Sequence, residues 1–276
     1  MKKSKYLIPE NYFRYATRNF LNFFYPKEHV KILQTNYNKV KMLVRANEDV
    51  GKDILVKRFE INELKFIKNL LSNDAVFIDI GSNIGMYSLV VASSSSTIKV
   101  HAFDPIKLNN ALLTSSIEIN GLENIVVNET CVGNYDGFIG FSVASDSAYS
   151  SIHDSGRKSE LKKITLPIVK LDTYVAKMKL QRIDFIKIDV EGAEMMVIEG
   201  ANELFSNLSL RPKMMMVELC DKNLRAFNTS VNEIVIFLDD LNYKPYVLVK
   251  NKLIEFVHYN HANAIENIFF KDIANV

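Results

Sequence analysis

A carboxylate followed by two glycines is the first arrangement in this chain that suggests chemistry. In the run FIDIGSNIGMYS, Phe77 to Ser88, Asp79 ends an apolar stretch and is followed by Gly81 and Gly85. Glycines permit positive φ angles and let a ligand approach the backbone closely. A dinucleotide site has the spacing G-x-G-x-x-G, whereas the spacing here is D-x-G-x-x-x-G. Because an aspartate before the turn repels phosphate and attracts cations, we expect the amino-acid end of S-adenosylmethionine rather than NAD. The alternative is a plain strand-to-helix turn.

A second group of acids follows the predicted strand 183–188. Asp189 and Glu191 are two positions apart, so their side chains point to one side if the strand continues. Such a pair can serve as a general base or as metal ligands. The two carboxylates repel each other, and Lys187, a divalent metal or a shared proton would offset that repulsion. Glu194 is expected instead at the start of the next helix, where an acid is favourable.

The elements that must position these acids alternate between strand and helix. Apolar runs predict core strands at 75–79, 98–103, 125–132, 183–188, 214–219, 246–249 and 267–271, and a further strand at 164–169. Helical spacing follows most of them, as in the predicted helix 106–120. The alternation predicts a mostly parallel sheet with one antiparallel strand. Because the carboxyl ends of parallel strands open into one crevice, both groups of acids are expected there.

Asp104 follows the second predicted core strand, 23 positions after Gly81. An acid at this place can accept hydrogen bonds from both hydroxyls of a ribose. Position alone also allows a simple cap on the next helix. We therefore expect a nucleoside contact at Asp104, with the cap as the alternative.

The composition excludes several classes of protein. The chain has 276 residues, 48% of them hydrophobic, which suits one α/β domain with additions. Its 34 basic and 32 acidic residues give a net charge of +2, and no basic stripe indicates a nucleic-acid partner. Cys131 and Cys220 lie in apolar runs without metal-ligand spacing, which is typical of buried thiols in a cytoplasmic protein. No apolar run reaches the roughly 20 residues of a membrane span, and the N-terminus does not resemble a secretory signal.

Residues 1–57 are expected to form an extension in front of a main domain at 58–276. Residues 1–27 combine basic side chains with aromatic residues at near-helical spacing, which predicts an amphipathic helix. Its expected use is packing within the protein or in a homodimer, and the alternative is peripheral contact with an anionic membrane at its inner face. The following stretch predicts a small β element, with strand-like pieces at 39–44 and 54–59 and turn residues between them.

A serine-rich and charged stretch, 144–163, has little regular pattern. A loop of this length in a compact domain is usually functional or disordered. His153 lies within it and is a catalytic candidate, although a lone loop histidine is more often simply solvated. By elimination, we expect this stretch to cover the acceptor substrate.

Several runs together resemble the FkbM family of S-adenosylmethionine-dependent methyltransferases. They are FIDIGSNIGMYS, HAFDP, Asn120, SSI with Ser151, LPIVKLDTY, DFIKIDVEGAE and RPKMMMVEL. The resemblance extends over about residues 58 to 220, and IDVEGAE is its most specific part. It implies a class I methyltransferase fold, which is Rossmann-like, with a mostly parallel seven-stranded sheet and helices on both faces.

The resemblance also implies roles for individual residues. Cofactor contacts fall on Asp79, Gly81, Ser82, Asn83, Gly85, Tyr87, Ser88, Asp104, Asn120 and Asp189. The family's acidic pair matches Asp189 and Glu191, and Glu218 matches the acid on the next strand. These three would hold a divalent metal if one is present. The chain departs from the family at Asp104, where Glu is usual, and at Ser116, where Asn is frequent.

The implied reaction is methyl transfer to a hydroxyl of a sugar, glycan or related natural product. Asp189 is the first candidate for base or metal ligand, with Glu191 beside it and His153 as an alternative. A small non-sugar acceptor and a non-catalytic scaffold on the same fold are the competing hypotheses. N-methylation is not favoured, because no [DN]-P-P-[YF] element follows the strand at 183–188.

Overall fold

The computed structural model describes Leu21, Phe24 and residues 31–57, 59–143, 162–256 and 266–274. The predicted amphipathic helix of residues 1–27 therefore lies outside the described residues, apart from Leu21 and Phe24. The serine-rich stretch lies outside them as far as residue 161, and His153 with it. Within the described ranges, no helix combines the length and the apolar character that crossing a membrane requires.

The strands are β1 Ile32–Tyr37, β2 Val40–Arg45, β3 Val76–Ile80, β4 Lys99–Phe103, β5 Ile125–Asn128, β6 Cys131–Gly133, β7 Gly137–Val143, β8 Lys162–Lys170, β9 Phe185–Ile188, β10 Met214–Leu219, β11 Tyr243–Val249, β12 Lys252–Glu255 and β13 Glu266–Asp272. The helices are α1 Asp49–Leu55, α2 Ile61–Leu70, α3 Met86–Ala92, α4 Lys107–Asn120, α5 Leu171–Met178, α6 Glu194–Glu199, α7 Asn202–Ser206, α8 Asp221–Arg225 and α9 Val231–Asp240.

The main sheet has the strand order β12-β11-β13-β10-β9-β3-β4-β5. Strands β10, β9, β3, β4 and β5 run parallel, and β13 pairs antiparallel with both β10 and β11. The seven strands from β11 to β5 form the predicted sheet with its one antiparallel strand, so the predicted fold class is confirmed. An eighth strand, β12, was not predicted. A two-residue turn, Lys250 and Asn251, connects β12 to β11, and both turn residues have a positive φ. Their sequence lacks the Asn-Gly signal that is typical of such turns.

Helices cover both faces of this sheet, as predicted. The hydrophobic core on one face includes side chains of α2, α3 and α4 with those of the β1–β2 hairpin. The core on the other face includes side chains of α5, α6, α7 and α9. The hairpin thus shares its core with β3, and the division of the chain at residues 57 and 58 stays a prediction.

Two predicted strands are wrong in detail. The piece at 54–59 is not a strand, because residues 49–55 form α1 and Gly51 packs against the β2 end, where a Cβ would stand 2.0 Å from the Arg45 oxygen. The predicted strand 125–132 is divided between β5 in the main sheet and β6 in a separate sheet of order β6-β8-β7. Both errors come from strand-like patterns, alternating at 54–59 and apolar at 125–132, which do not reveal where the chain changes direction.

Candidate functional site

The glycine turn after β3 is fastened to the end of β4. The backbone N–H groups of Gly81 and Ser82 both donate to the Phe103 oxygen at 2.9 Å. Asn83 N donates to Asp104 Oδ2 at 3.1 Å. Gly81 and Gly85 have φ angles of 76° and 81°, a region that glycine adopts without a steric penalty. The turn is therefore a rigid connection between two neighbouring parallel strands.

Gly81 also touches the end of β9. A Cβ at this position would stand 1.7 Å from the backbone oxygen of Asp189. Asp189 N in turn donates to the Ile80 oxygen at 3.0 Å. The glycine turn and the acidic run predicted from the sequence thus meet directly at the carboxyl edge of the sheet.

Asp79 lies beneath the turn and is fully buried. Its Oδ2 accepts hydrogen bonds from Ser88 N at 3.1 Å and Ser88 Oγ at 2.6 Å. Its Oδ1 has no hydrogen-bond partner. Burial raises the pKa of this carboxyl, and the nearby Lys187 opposes that effect. Asp79 therefore fixes the start of α3 through Ser88 and keeps one acceptor atom unused.

Lys187 is the buried cation of the site. Its Nζ lies 3.0 Å from Asp189 Oδ2, 3.8 Å from Asp79 Oδ1 and 3.4 Å from the Gly81 oxygen. The ammonium also stands 5.4 Å from the centre of the Tyr87 ring. Burial alone would lower the Lys187 pKa, but Asp189, Asp79 and Glu60 raise it above its ordinary value. Lys187 is therefore one of the offsets considered for the acidic pair, and it lies directly beside Asp189.

Asp189, Glu191 and Glu218 converge, although the strand before Asp189 does not continue to Glu191. β9 ends at Ile188, and Glu191 has a left-handed φ of 55°. The three side chains nevertheless bring one carboxylate oxygen each within 4.8 Å of one another. Burial, with Asp189 and Glu191 as neighbours, raises the pKa of Glu218 well above its ordinary value. The cluster therefore disfavours the ionised form of Glu218.

Two side chains hold the acidic loop in place. Asn223 Nδ2 donates to Glu191 Oε2 at 2.6 Å. Glu194 Oε1 accepts from the backbone N–H of Val190 at 3.2 Å and of Gly192 at 3.0 Å. Burial raises the pKa of Glu194 to about 7. Glu194 thus has the structural role at the start of α6 that its position predicted.

Asp104 is buried and largely occupied by the protein itself. In addition to Asn83 N, its carboxylate accepts from Ile106 N at 2.8 Å and Asn109 Nδ2 at 3.1 Å. Burial raises its pKa to about 6. A carboxylate has about four acceptor positions, so roughly one stays open for a ribose hydroxyl rather than two. An aspartate, shorter than glutamate, reaches the N–H two residues ahead and so closes the turn just before α4.

Asn120 does not join the other predicted cofactor residues. Its side chain pairs with the Lys41 backbone, accepting from the N–H at 3.0 Å and donating to the oxygen at 2.6 Å. It ends α4, about 20 Å along the helix from the end near Asp104 at 1.5 Å per residue. Ser116, on the same helix, accepts from Leu43 N at 3.0 Å. Both residues attach the β1–β2 hairpin to α4.

Glu60, the residue before α2, is a member of the site that sequence reasoning missed. Asn267 Nδ2 donates to its Oε1 at 3.2 Å, and its carboxylate acts on the pKa of Lys187, Tyr87 and Glu218. No motif surrounds it in the sequence.

Cys131 and Cys220 are buried, as expected. Burial raises the pKa of Cys131 to about 12, so its thiol is inert.

The model of the methyltransferase FkbM domain matches residues 79–245, which is more than half of the chain. The chain belongs to the FkbM methyltransferase family. The match begins at the buried carboxylate of the glycine turn and includes Lys187, Asp189, Glu191 and Glu218. In this FkbM methyltransferase, Glu60 and Asn267 lie outside the matched residues.

Two curated proteins are similar to this FkbM methyltransferase. AMB antimetabolite synthetase AmbE of Pseudomonas aeruginosa is 27% identical in an alignment of length 170, and the match covers 49% of this chain and 8% of AmbE. Methyltransferase 1 of Beauveria bassiana is 22% identical in an alignment of length 171, and the match covers 54% of this chain and 66% of that protein. The chain therefore spans less than two thirds of either relative. Among solved structures, an rRNA methylase of Streptococcus thermophilus is 14% identical, with a TM-score of 0.44 and coverage of 76% of this chain and 93% of that one.

Proposed function

We propose that this chain transfers the methyl group of S-adenosylmethionine to a hydroxyl oxygen of a sugar, glycan or related natural product. One observation carries the proposal. Three carboxylates act on the buried ammonium of Lys187, namely those of Glu60, Asp79 and Asp189, and the partly buried Glu191 and Glu218 cluster with Asp189. More acidic than basic groups therefore meet at this edge of the sheet, which suits a cationic ligand. The unused acceptor atom of Asp79 fits the same class of ligand.

The location supports a nucleoside-bearing ligand. β3 pairs with β4 on one side and with β9 on the other. The glycine turn after β3 therefore lies at the point where the strand order of the sheet reverses. Ligands of open α/β sheets bind at such a switch point. When bound, S-adenosylmethionine supplies a methyl carbon activated by its sulfonium. The turn from Gly81 to Gly85 positions that ligand, and the open acceptor position of Asp104 is available for one ribose hydroxyl.

Asp189 is the candidate base for the acceptor hydroxyl. Its side chain is 26% exposed, whereas those of Lys187 and Asp79 are 5% and 1% exposed, so it is the most accessible of these three charges. Lys187 fixes Oδ2, and Glu191 and Glu218 lie beside it. A positioned base contributes about 10²–10⁴-fold to such a transfer, and alignment of the two reactants contributes more. His153 stays a further candidate for the base.

A divalent metal on Asp189, Glu191 and Glu218 is the second way to handle the acceptor's proton. Three carboxylate oxygens within 4.8 Å of one another are a suitable donor set for a hard cation. Such an ion would bind the ionised form of Glu218, which burial disfavours. Dialysis against EDTA followed by a methyl-transfer assay separates the two versions, since only the metal version loses activity and regains it with Mg²⁺ or Mn²⁺.

The partners of the protein are also proposals. A sugar or glycan acceptor follows from the family resemblance, and the partial match to AmbE favours a small natural product as the second candidate. We propose a cytoplasmic location without a nucleic-acid partner. The basic and aromatic residues of 1–27 would mediate homodimerisation or peripheral contact with the inner face of the membrane. Flotation with anionic liposomes distinguishes these two uses, because only membrane contact moves the protein with the vesicles.

The first test is ligand binding followed by methyl uptake. Thermal unfolding is measured with S-adenosylhomocysteine, S-adenosylmethionine and NAD in parallel. A ligand at 100 times its Kd adds about 2.7 kcal/mol of stability. We expect a higher Tm with the adenosyl compounds alone, and labelled methyl transfer to members of a sugar and glycan panel. A shift with NAD alone would contradict the proposal, and the absence of any shift would favour the scaffold hypothesis.

A further inference from the structure

We propose that Glu60 binds the α-ammonium of the S-adenosyl cofactor, so that a residue outside the matched family domain completes the cofactor site. The inference rests on the proposed function, because it requires an S-adenosyl ligand. It goes beyond that proposal by assigning the ammonium to a residue in front of α2 rather than to the glycine turn alone. Four independent features of Glu60 support it.

The first feature is the backbone of Glu60. Its φ and ψ angles are 41° and 43°, in the left-handed region. A residue with a Cβ is uncommon there, and such strain costs on the order of 1–3 kcal/mol unless the surroundings enforce it. The conformation directs the chain into α2 and places the Glu60 carboxylate among the acids of the site.

The second feature is the face of the sheet that Glu60 meets. Asp79 is paired in register with Lys187, and Glu218 with Asn267. Lys187 is also in register with Met216, two residues before Glu218, so these side chains project from one face of the sheet. Asn267 Nδ2 holds Glu60 Oε1 at 3.2 Å. Glu60 therefore lies on the same face of the sheet as Asp79, Lys187 and Glu218, where Asn267 holds it.

The third feature is an unused acceptor. Glu60 Oε2 is buried and has no hydrogen bond of normal geometry, and the same holds for Asp79 Oδ1. The Tyr87 hydroxyl lies close to Glu60 but does not satisfy it with normal geometry. A buried polar atom left unpaired costs about 1–3 kcal/mol. The nearest donors are the Tyr87 hydroxyl for Glu60 and Lys187 Nζ, at 3.8 Å, for Asp79 Oδ1, so both acceptor atoms can take a further donor.

The fourth feature is charge. Lys187 is the cation that Glu60, Asp79 and Asp189 share. A second cation would relieve this excess of carboxylates. The sulfonium of the cofactor carries charge but no N–H donor, whereas its α-ammonium carries charge and three donors. The ammonium is therefore the group that matches both the charge and the two acceptor atoms.

The test uses isothermal titration of the full chain with two ligands. S-adenosylhomocysteine contains the ammonium, and 5′-(3-carboxypropyl)thioadenosine keeps the carboxylate but lacks the ammonium. We expect E60Q to weaken S-adenosylhomocysteine on the order of tenfold or more, since the lost interaction joins two charges, and to leave the carboxypropyl compound unchanged. The control E123Q makes the same change at an exposed glutamate and should alter neither Kd.

Each outcome is decisive. Equal weakening of both ligands by E60Q, or no change in either, would overturn the ammonium assignment while leaving the S-adenosyl cofactor in place. If neither ligand binds the wild-type chain, the proposed function itself fails. Should E60Q not fold, E60D provides the same comparison, because it keeps the charge and retracts it by one methylene. A selective loss for S-adenosylhomocysteine in E60D supports the assignment, and an equal change for both ligands overturns it.

Discussion

Gly81 and Asp189 are in backbone contact, and a Cβ on Gly81 would stand 1.7 Å from the Asp189 oxygen. This contact joins the glycine turn of β3 to the acidic loop after β9. Since Asp189 N is bonded to the Ile80 oxygen, the loop has little freedom to move away. The ligand turn and the candidate base are therefore one rigid unit.

Gly81→Ala is expected to break this unit. The substitution combines strain at a φ of 76° with a clash against backbone. Gly121→Ala is the matched control, because Gly121 also has a positive φ, 62°, but a Cβ there meets nothing within 4 Å. We expect about 1–2 kcal/mol lost for Gly121→Ala and at least about 2 kcal/mol more for Gly81→Ala, measured by urea unfolding. Equal losses would contradict the contact.

Lys187→Met is expected to destabilise the fold strongly. It leaves Asp79 and Asp189 without their buried cation, and removing one partner of a buried ion pair costs about 3–5 kcal/mol. Lys213→Met is the control, since Lys213 Nζ lies 3.5 Å from Asp184 but its side chain is 76% exposed. The control should cost about 0–1 kcal/mol. Similar free energies of unfolding for the two variants would show that Lys187 does not neutralise the cluster.

Asp189→Asn tests the candidate base. An amide cannot accept the proton of the acceptor hydroxyl, so kcat should fall about 10²–10⁴-fold. Asp240→Asn, at an exposed position at the end of α9, makes the same change as a control and should keep full activity. A D189N enzyme with undiminished kcat would remove the role that we propose for Asp189.

Asn120→Ala separates the two roles considered for Asn120. The amide is bonded to both the N–H and the oxygen of Lys41, so the variant should lose about 1–3 kcal/mol of folding stability. Its Kd for S-adenosylhomocysteine should stay at the wild-type value. A tenfold weaker Kd without a loss of stability would instead support the cofactor contact implied by the family resemblance.

His101 predicts a pH dependence of stability. It is buried on β4 with Nδ1 2.8 Å from the Tyr174 hydroxyl, and burial lowers its pKa from 6.5 to about 4. Between these values the unfolded chain binds a proton that the folded chain does not. Its contribution is therefore complete above pH 6.5 and is lost as the pH falls toward 4, amounting to about 2 kcal/mol between pH 7 and pH 5.

The comparison with His101→Asn isolates this contribution, because Asp104 and Glu194 have raised pKa values and act in the opposite direction. The free energy of unfolding is measured at pH 7 and pH 5 for both proteins. We expect the wild type to lose about 2 kcal/mol more than H101N over this range. Parallel pH profiles would mean that His101 is not held neutral in the fold.

Some residues of the site could be predicted from a local sequence pattern, and for others the structure was needed. Asp79, Gly81 and Gly85 were predicted because a strand, a turn and a helix follow one another without interruption, and each leaves a short-range signature. Asp189 and Glu191 were predicted because they follow an apolar strand directly. For Asp104, local position allowed both a ribose contact and a helix cap, and the structure adds the three N–H donors that occupy most of its acceptor positions.

The sequence by itself determined the alternation of strands and helices, the glycine turn and the family, since all three depend on residues close together in the chain. Only the tertiary structure decided that Glu60 and Asn267, 207 positions apart, meet over the acids, and that Asn120 holds a hairpin. The same applies to Lys187, whose charge is shared with Asp79, 108 positions earlier. Such contacts depend on how strands and helices pack against one another, and no local periodicity records that packing.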